Sequence, residues 1–379
     1  MAPTLTPPLG SRLQRIDQAR QQALHHGAAL DPVLIEPWIA RSWQRCLSLG
    51  LQPTQRVNFE AVSVHAMNRA AQENRTLVQA ARPALERLNR AMQDTRYFAI
   101  LTNQQGTVVD AHGPIDRSDR RADLITRIGT NLSEPAVGTT AIGAALTELA
   151  PVWLHRGEHF FNDTSVYSCA GAPLFGPQGQ CVGMLDLTGV QAVERPELRH
   201  LVMQSARSIE NALTLQQDWT LLLRLNWPGH SLGDDSDGLI GLDADGGIAC
   251  ANSTARQLLP ELHRLSLQPW HCRDVFALPF EKFFDTARRE SGAIEVPLWS
   301  GLRLQVLART RQRAMLDQTS ETSTHTWPRD KGHNPPLKDL ESAIIRKAVQ
   351  DAKGNVAQAA RTLGISRATV YRKIGLQGN

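Results

Sequence analysis

Long hydrophobic runs, paired cysteines and phosphate-cradling glycine motifs are all missing from this 379-residue chain. No apolar stretch approaches the roughly 18 residues that a membrane helix needs. The opening MAPTLTPPLGSRLQR lacks the basic segment and apolar core of a secretory signal. These absences give the expectation of a cytoplasmic protein with no membrane partner. Cysteine is scarce: Cys46, Cys169, Cys181, Cys250 and Cys272 are odd in number and form no C-x-x-C. Such usage excludes a disulfide framework and suits free thiols in a reducing compartment. No G-x-x-x-x-G-K-[ST] occurs, so the backbone nest and lysine that hold nucleotide phosphates are absent. H-E-x-x-H and a G-x-G-x-x-G after a strand are absent too. The expectation is a non-enzyme, with no catalytic residue, cofactor or metal.

What is present is ordinary folded-protein composition, 41% apolar and 21% charged, over a length suited to two or three domains. The net charge of +4 conceals an asymmetry. From Leu337 onward, Lys338, Arg346, Lys347, Lys353, Arg361, Arg367, Arg372 and Lys373 face only Asp339, Glu341 and Asp351. The C-terminal segment is therefore strongly basic, while the rest of the chain is close to neutral. A field concentrated in this way suits a polyanion partner.

Patterning divides the chain further. Residues 1–85 read as a helical region, with Val33, Ile35, Trp38, Ile39, Trp43 and Leu47 at three- and four-residue steps along one buried face. Residues 86–225 read as an α+β domain. YFAILTNQQGTVVDAHG and the later FGPQGQCVGMLDLTG carry strand–turn–strand patterns, and TTAIGAALTEL between them reads as a short helix. Pro196 opens a segment expected to run as one connecting helix to Leu225. Two series within it fall seven apart: Leu198, Ser205, Ala212 and Trp219, and Val202, Ile209, Gln216 and Leu223. That heptad fits either a dimeric coiled coil or a helix lying on its own domain. Residues 236–310 read as a second α+β domain, with a hairpin at Asp243-Ala244-Asp245-Gly246-Gly247, helices starting near Asn252 and across VFALPFEKFFDTARR, and two strands joined at Ser300-Gly301. Residues 311–336, rich in Ser, Thr and Pro, read as a linker.

The last segment, 337–379, is the most specific. In LKDLESAIIRKAVQDA an apolar face repeats at helical spacing, and Gly354 sits where a helix end needs a left-handed residue. Asn355 can cap a second helix, NVAQAARTL, and Ser366 a third, RATVYRKI. Two short helices across a Gly-containing turn make a helix-turn-helix. Ala359 and Ala360 allow close approach, and Leu363, Ile365, Val370 and Ile374 fill the interior. Arg367, Thr369, Tyr371, Arg372 and Lys373 lie on the other side, where arginine and lysine can reach guanine edges or phosphates in a major groove.

LESAIIRKAVQDAKGNVAQAARTLGISRATVYRKI resembles the Fis-type DNA-binding domain that ends many sigma-54-dependent activators. EPWIARSWQRCLSLGLQP, GTNLSEPAVGTTAIGAAL and GEHFFNDTSVYSCAGAPLFGPQGQCVGMLDLTG resemble the GAF-containing sensor half of the acetoin-catabolism-regulator type. LIGLDADGGIACANSTARQLL is similar to the PAS-like segment that follows it. The resemblance implies a multidomain α+β protein: a GAF-like sensor, a PAS-like segment and an all-α Fis-type helix-turn-helix. It implies a transcriptional regulator that binds double-stranded DNA as a homodimer through Ser366, Arg367, Thr369, Tyr371, Arg372 and Lys373, and that responds to a small-molecule effector whose binding residues stay unassigned. The chain departs from the family in two places. Thr140 stands where the family has Asn, and neither a phosphate loop nor the GAFTGA sigma-54-contacting loop of the AAA+ ATPase occurs. The expectation is a regulator without ATPase or sigma-54-remodelling activity. The alternative is an adaptor or dominant-negative partner that hetero-associates with full-length sigma-54-dependent activators; a related activator or an RNA polymerase component is a further partner the resemblance allows.

Other constellations read as structural. His155 and His159, four apart with Cys169 beyond, sit in strand or loop rather than on one helical face. Asp243 and Asp245 occupy a hairpin turn, where Asp serves the backbone, and His271-Cys272 is too close in sequence to chelate. The GAF-like stretch either holds a small effector in an apolar pocket or serves only as a dimer scaffold.

Overall fold

The computed structural model describes residues 12–25, 34–59, 62–264, 268–311, 345–352, 354–363 and 365–374. The expected linker, Arg311 aside, and Val33 lie outside these residues. Among the described residues four α-helices precede the first strand: α1 (Arg12–Arg20), α2 (Pro37–Ser48), α3 (Val64–Glu73) and α4 (Arg75–Ala91). Pro37 opens α2 where its missing N–H costs nothing. The expected helical face buries Ile39 and Trp43 beside Ile35, whereas Leu47 is 40% exposed. α4 runs past residue 85, and its stripe of Leu77, Ala81, Ala84, Leu85 and Leu88 joins the core of the first sheet.

That sheet is antiparallel, in the order β2-β1-β5-β4-β3, from β1 (Tyr97–Asn103), β2 (Val108–His112), β3 (Val152–His155), β4 (Tyr167–Phe175) and β5 (Cys181–Val190). Both hairpins read from the sequence are present. Side chains alternate between two layers. Tyr97, Ala99, Leu101, Leu185 and Leu187 pack under α4 and α8 (Leu198–Leu215). Phe98, Ile100, Cys169 and Met184 face α5 (Arg120–Ile125), α6 (Glu134–Val137) and α7 (Ala141–Glu148).

The connecting helix expected from Pro196 to Leu225 ends at Leu215, and Leu221–Asn226 forms strand β6. The run of leucines is buried on both faces, a pattern that a helix and a central strand share when periodicity alone is read. Leu198, Val202 and Ile209, three of the heptad positions, are buried in the core of their own unit. α8 therefore lies on its own sheet, the second of the two readings open to it.

The second sheet has the order β8-β7-β6-β10-β9, from β6, β7 (Gly238–Leu242), β8 (Ile248–Ala251), β9 (Ile294–Pro297) and β10 (Arg303–Thr310). Leu221, Leu223 and Leu225 pack against α9 (Ser253–Leu258), α10 (Cys272–Val275) and α11 (Glu281–Arg288), while Leu222 turns to Trp219 and the end of α8. Helix was expected across VFALPFEKFFDTARR, but α11 starts only at Glu281. Pro279 lies just ahead of it, at a point where the chain tends to leave the helical conformation.

The tip of the β4–β5 hairpin joins the two units. Ala251 N donates to Pro177 O at 3.0 Å and Gln178 Nε2 to Ala249 O at 2.9 Å. The buried Arg256 guanidinium donates to Gly176 O at 3.0 Å and also to Ala251 O. Glu210 on α8, buried beside this arginine, accepts from Phe175 N at 2.9 Å, and burial pushes its carboxyl up to about 7. Arg256→Ala removes the shared donor from two buried carbonyls and the countercharge from Glu210. It is expected to cost about 3 kcal/mol, read as a lower urea midpoint and as separate unfolding of the two units. A midpoint within error of the parent would refute this account of the joint.

Candidate effector pocket and nucleic-acid interface

Between the first sheet and α5–α7 lies a cavity of about 30 Å³, measured to the centre of a water-sized sphere. That is room for one or two waters or the body of a very small molecule. Its walls are apolar, with Ile100, Ile125, Leu132, Val137 and Ile142 among them, and its polar edge comes from Thr140, His159, Thr164, Tyr167, Cys169, Asp186 and Thr188. Asp186 and Thr188 lie on β5, two apart, so both face the α5–α7 side. Asp186 is 1% exposed. Its Oδ2 accepts from the Thr188 hydroxyl, and its Oδ1 has no partner. Burial drives this carboxyl from 3.8 up to about 7, opposed only by the Thr188 bond.

His159 and Cys169 meet beside it. His159 Nδ1 lies 2.9 Å from Arg156 O, an acceptor, so Nδ1 carries the hydrogen and Nε2 is left to accept. The Cys169 Sγ stands 3.5 Å from Nε2. Burial lowers His159 to about 4 and pushes the Cys169 thiol well up, so both are neutral and the thiol is unreactive. His155 is turned elsewhere, its Nδ1 2.8 Å from Ser168 Oγ. Among the described residues no group of three histidine, cysteine or acidic side chains is placed to hold a metal.

The N-terminal helices hold the pocket from outside. Arg20 donates to Gly157 O (2.8 Å), His159 O (2.6 Å), Phe160 O (3.1 Å) and Asn162 Oδ1 (2.6 Å). Its guanidinium lies over the Trp43 ring, and Trp43 Nε1 donates to Glu158 O. Arg12 pairs with Glu158 at 2.7 Å and Glu194 at 2.6 Å. On α2, Ser42 and Arg45 both donate to Glu134, the first residue of α6, and Ser42 meets Thr139. The EPWIARSWQRC stretch thus fixes the roof of the pocket, α6 and α7, and not only an apolar core. Thr140 caps α7 by accepting from Gly143 N at 3.2 Å, work that Asn performs equally well.

None of the pocket carboxyl's environment was read from the sequence. The available signal was the acidic residue inside an otherwise apolar strand, CVGMLDLTG. The Asp243–Asp245 pair is a turn device as expected: Asp243 Oδ1 accepts from the backbone N–H of Asp245 and Gly247. His271 caps α10.

At the C-terminus a helix across 345–351 is followed by α13 (Val356–Leu363) and α14 (Arg367–Ile374), the first of these three being α12. Gly354 has φ +84° and its N–H reaches Val349 O. Asn355 Oδ1 accepts from Gln358 N, the cap expected of it. Ala359, Ala360, Leu363 and Val370 are buried with Ile345 and Ala348, and Ile365 packs partly against them. Ser366 Oγ accepts from Thr369 N at 3.1 Å and meets the Thr369 hydroxyl at 2.9 Å, so these two cap α14 together. Arg367 is exposed and Tyr371 is 37% exposed. Arg372 and Lys373 belong to α14, but their side chains, like that of Ile374, lie outside the described residues.

Residues 13–211 match the family model "MimR, N-terminal domain", and residues 336–375 match "Bacterial regulatory protein, Fis family". The chain is 27% identical over 309 residues to the acetoin catabolism regulatory protein of Cupriavidus necator, covering 79% of this chain and 45% of that protein. It is 25% identical over 222 residues to a signal-transduction and transcriptional-control protein of Clostridium beijerinckii, covering 58% and 35%. It is 29% identical over 205 residues to the propane 2-monooxygenase operon transcriptional activator MimR of Mycolicibacterium goodii, covering 54% and 34%. The chain thus spans between a third and a half of these relatives' length. Among solved structures, the E. coli DhaR(N)–DhaL complex aligns with a TM-score of 0.43 at 17% identity, over 72% of this chain and 99% of that one.

The raised carboxyl gives the pocket a pH signature. Unfolded, Asp186 ionises near 3.8; folded, it keeps its proton to about 7. Its contribution to stability is therefore present at acid pH and lost as pH rises through that window. Asp186→Asn is expected to raise Tm more at pH 8 than at pH 5, measured by calorimetry. A difference independent of pH would contradict the burial assigned to this group.

Proposed function

The chain belongs to the MimR N-terminal-domain family, and from that premise we propose that it is an effector-responsive transcriptional regulator that binds double-stranded DNA. Residues 86–215 act as a GAF-like sensor, the cavity at Asp186 being its effector pocket, and the second sheet forms a PAS-like unit. The Fis-type helix-turn-helix, working as a homodimer, presents α14 to a major groove. The observation that carries this reading is one chain holding both an apolar cavity with an unpaired carboxyl oxygen and a basic helix-turn-helix.

Within α14, Arg367, Tyr371, Arg372 and Lys373 are assigned to base or phosphate contact. Ser366 and Thr369 cap the helix, and their backbone and hydroxyls meet the DNA backbone at its N-terminus. Without a phosphate loop in the sequence, the regulator neither hydrolyses ATP nor remodels a sigma-54 holoenzyme by itself. Genomic fragments selected by the purified protein supply the probe for a gel shift. Arg367→Ala and Arg372→Ala are each expected to weaken binding and to reduce the salt slope by about one for each phosphate that the variant no longer neutralises. Unchanged binding by both variants would sink the assignment. Failure of the parent to select any fragment would favour the adaptor that acts by pairing with full-length activators.

A further inference from the structure

The hydrogen-bonding capacity left in the pocket has a sign. The Tyr167 hydroxyl donates to Arg121 O at 3.1 Å and the Thr164 hydroxyl to Phe161 O at 3.0 Å. The His159 N–H serves Arg156 O, the Cys169 thiol faces the acceptor nitrogen of His159, and the Thr188 hydroxyl serves Asp186. With the Thr140 hydroxyl aside, each donor at the cavity is already engaged. The oxygen without a partner is Asp186 Oδ1, buried on a strand in the middle of the sheet and an acceptor once the carboxyl has ionised, above about pH 7. A buried polar atom left unpaired is costly, so natural cores retain one mainly where something else is to complete it.

Taking the cavity as the effector pocket, we propose that its ligand is a compact, largely aliphatic molecule that presents a hydrogen-bond donor, a hydroxyl or an ammonium, to Asp186 Oδ1. The apolar walls exclude a larger polar ligand, whose remaining groups would be left without partners. Against the ionised carboxylate, a ligand carrying only a carbonyl would place acceptor against acceptor and leave Oδ1 unsatisfied. Asp186 is on this account the specificity-determining residue. Thr188 positions it by holding Oδ2, which leaves Oδ1 toward the cavity.

The test is a methyl NMR titration of the full chain at about pH 8.5, above the value of about 7 to which burial raises Asp186, with three probes of matched shape: cyclobutanol, cyclobutylammonium and cyclobutanone. Shifts are expected at the methyls of Leu132, Val137 and Ile142, with the hydroxyl or the ammonium probe binding about tenfold more tightly than the ketone. The ranking of the two donor probes tells which head group the site prefers. Asp186→Asn can turn an amide N–H toward the cavity and is expected to erase or reverse the preference against the ketone. A ketone that binds wild-type protein as tightly as both donors overturns the proposed ligand class and leaves the pocket reading standing. An unchanged preference in Asp186→Asn overturns the role of that residue. Absence of shifts at these methyls with every probe overturns the pocket reading itself. The wild-type ranking stands without the variant, whose methyl spectrum reports whether it is folded.

Discussion

Everything in the first unit depends on a hairpin that has no solvent side. β4 and β5 pair from Tyr167–Val190 to Phe175–Cys181 and are sandwiched between two helical layers. The central strands approach so closely that a Cβ on Gly183 would lie 2.1 Å from the backbone oxygen of Thr102 on β1. A strand in that position can carry apolar residues on both faces at no penalty, but each polar atom in it gives up water and must be paired or used. Ala170, Ala172, Leu185 and Leu187 satisfy the rule on the α4–α8 side. On the other side Asp186 breaks it, and the cavity is where it does so.

The same hairpin does two things at its two ends. Near Asp186 and Cys169 it makes the floor of the pocket; at Gly176–Gln180 it carries the joint to the second unit through Arg256, Gln178 and Pro177. The pairing shifts register between Leu174 and Phe175, at the end next to the joint. The N-terminal helices complete the frame. Arg20 gathers three carbonyls and Asn162 around the loop that positions His159, and Arg45 and Ser42 fix Glu134 on the roof. Buried charge-assisted hydrogen bonds of this type are geometrically demanding and so define one arrangement of roof and floor.

Much of the fold was legible because local physics decides it. Turn glycines at Gly106 and Gly246, both with positive φ, and caps at Asn252, Asn355 and Ser366 are read directly from residue type. The terminal helix-turn-helix was legible for the same reason, being built from short-range contacts. The failures are instructive. LLLRL after Asp218 reads as helix, yet forms a strand, because an apolar run buried on both faces has no period to read. The heptad in α8 was ambiguous because the spacing that packs a helix on a partner also packs it on its own sheet.

The pocket was illegible for another reason. Asp186, His159 and the roof residue Glu134 come from separate elements, and nothing in their spacing announces that they converge. The sequence by itself determined the order of units, the capping and turn chemistry and the basic character of the last helix, since each depends on neighbours within a few residues. Only the tertiary structure decided which carboxyl would be stripped of water and left with a free oxygen facing a cavity. Desolvation is a property of everything packed around an atom, and the chain brings those atoms together only when it folds.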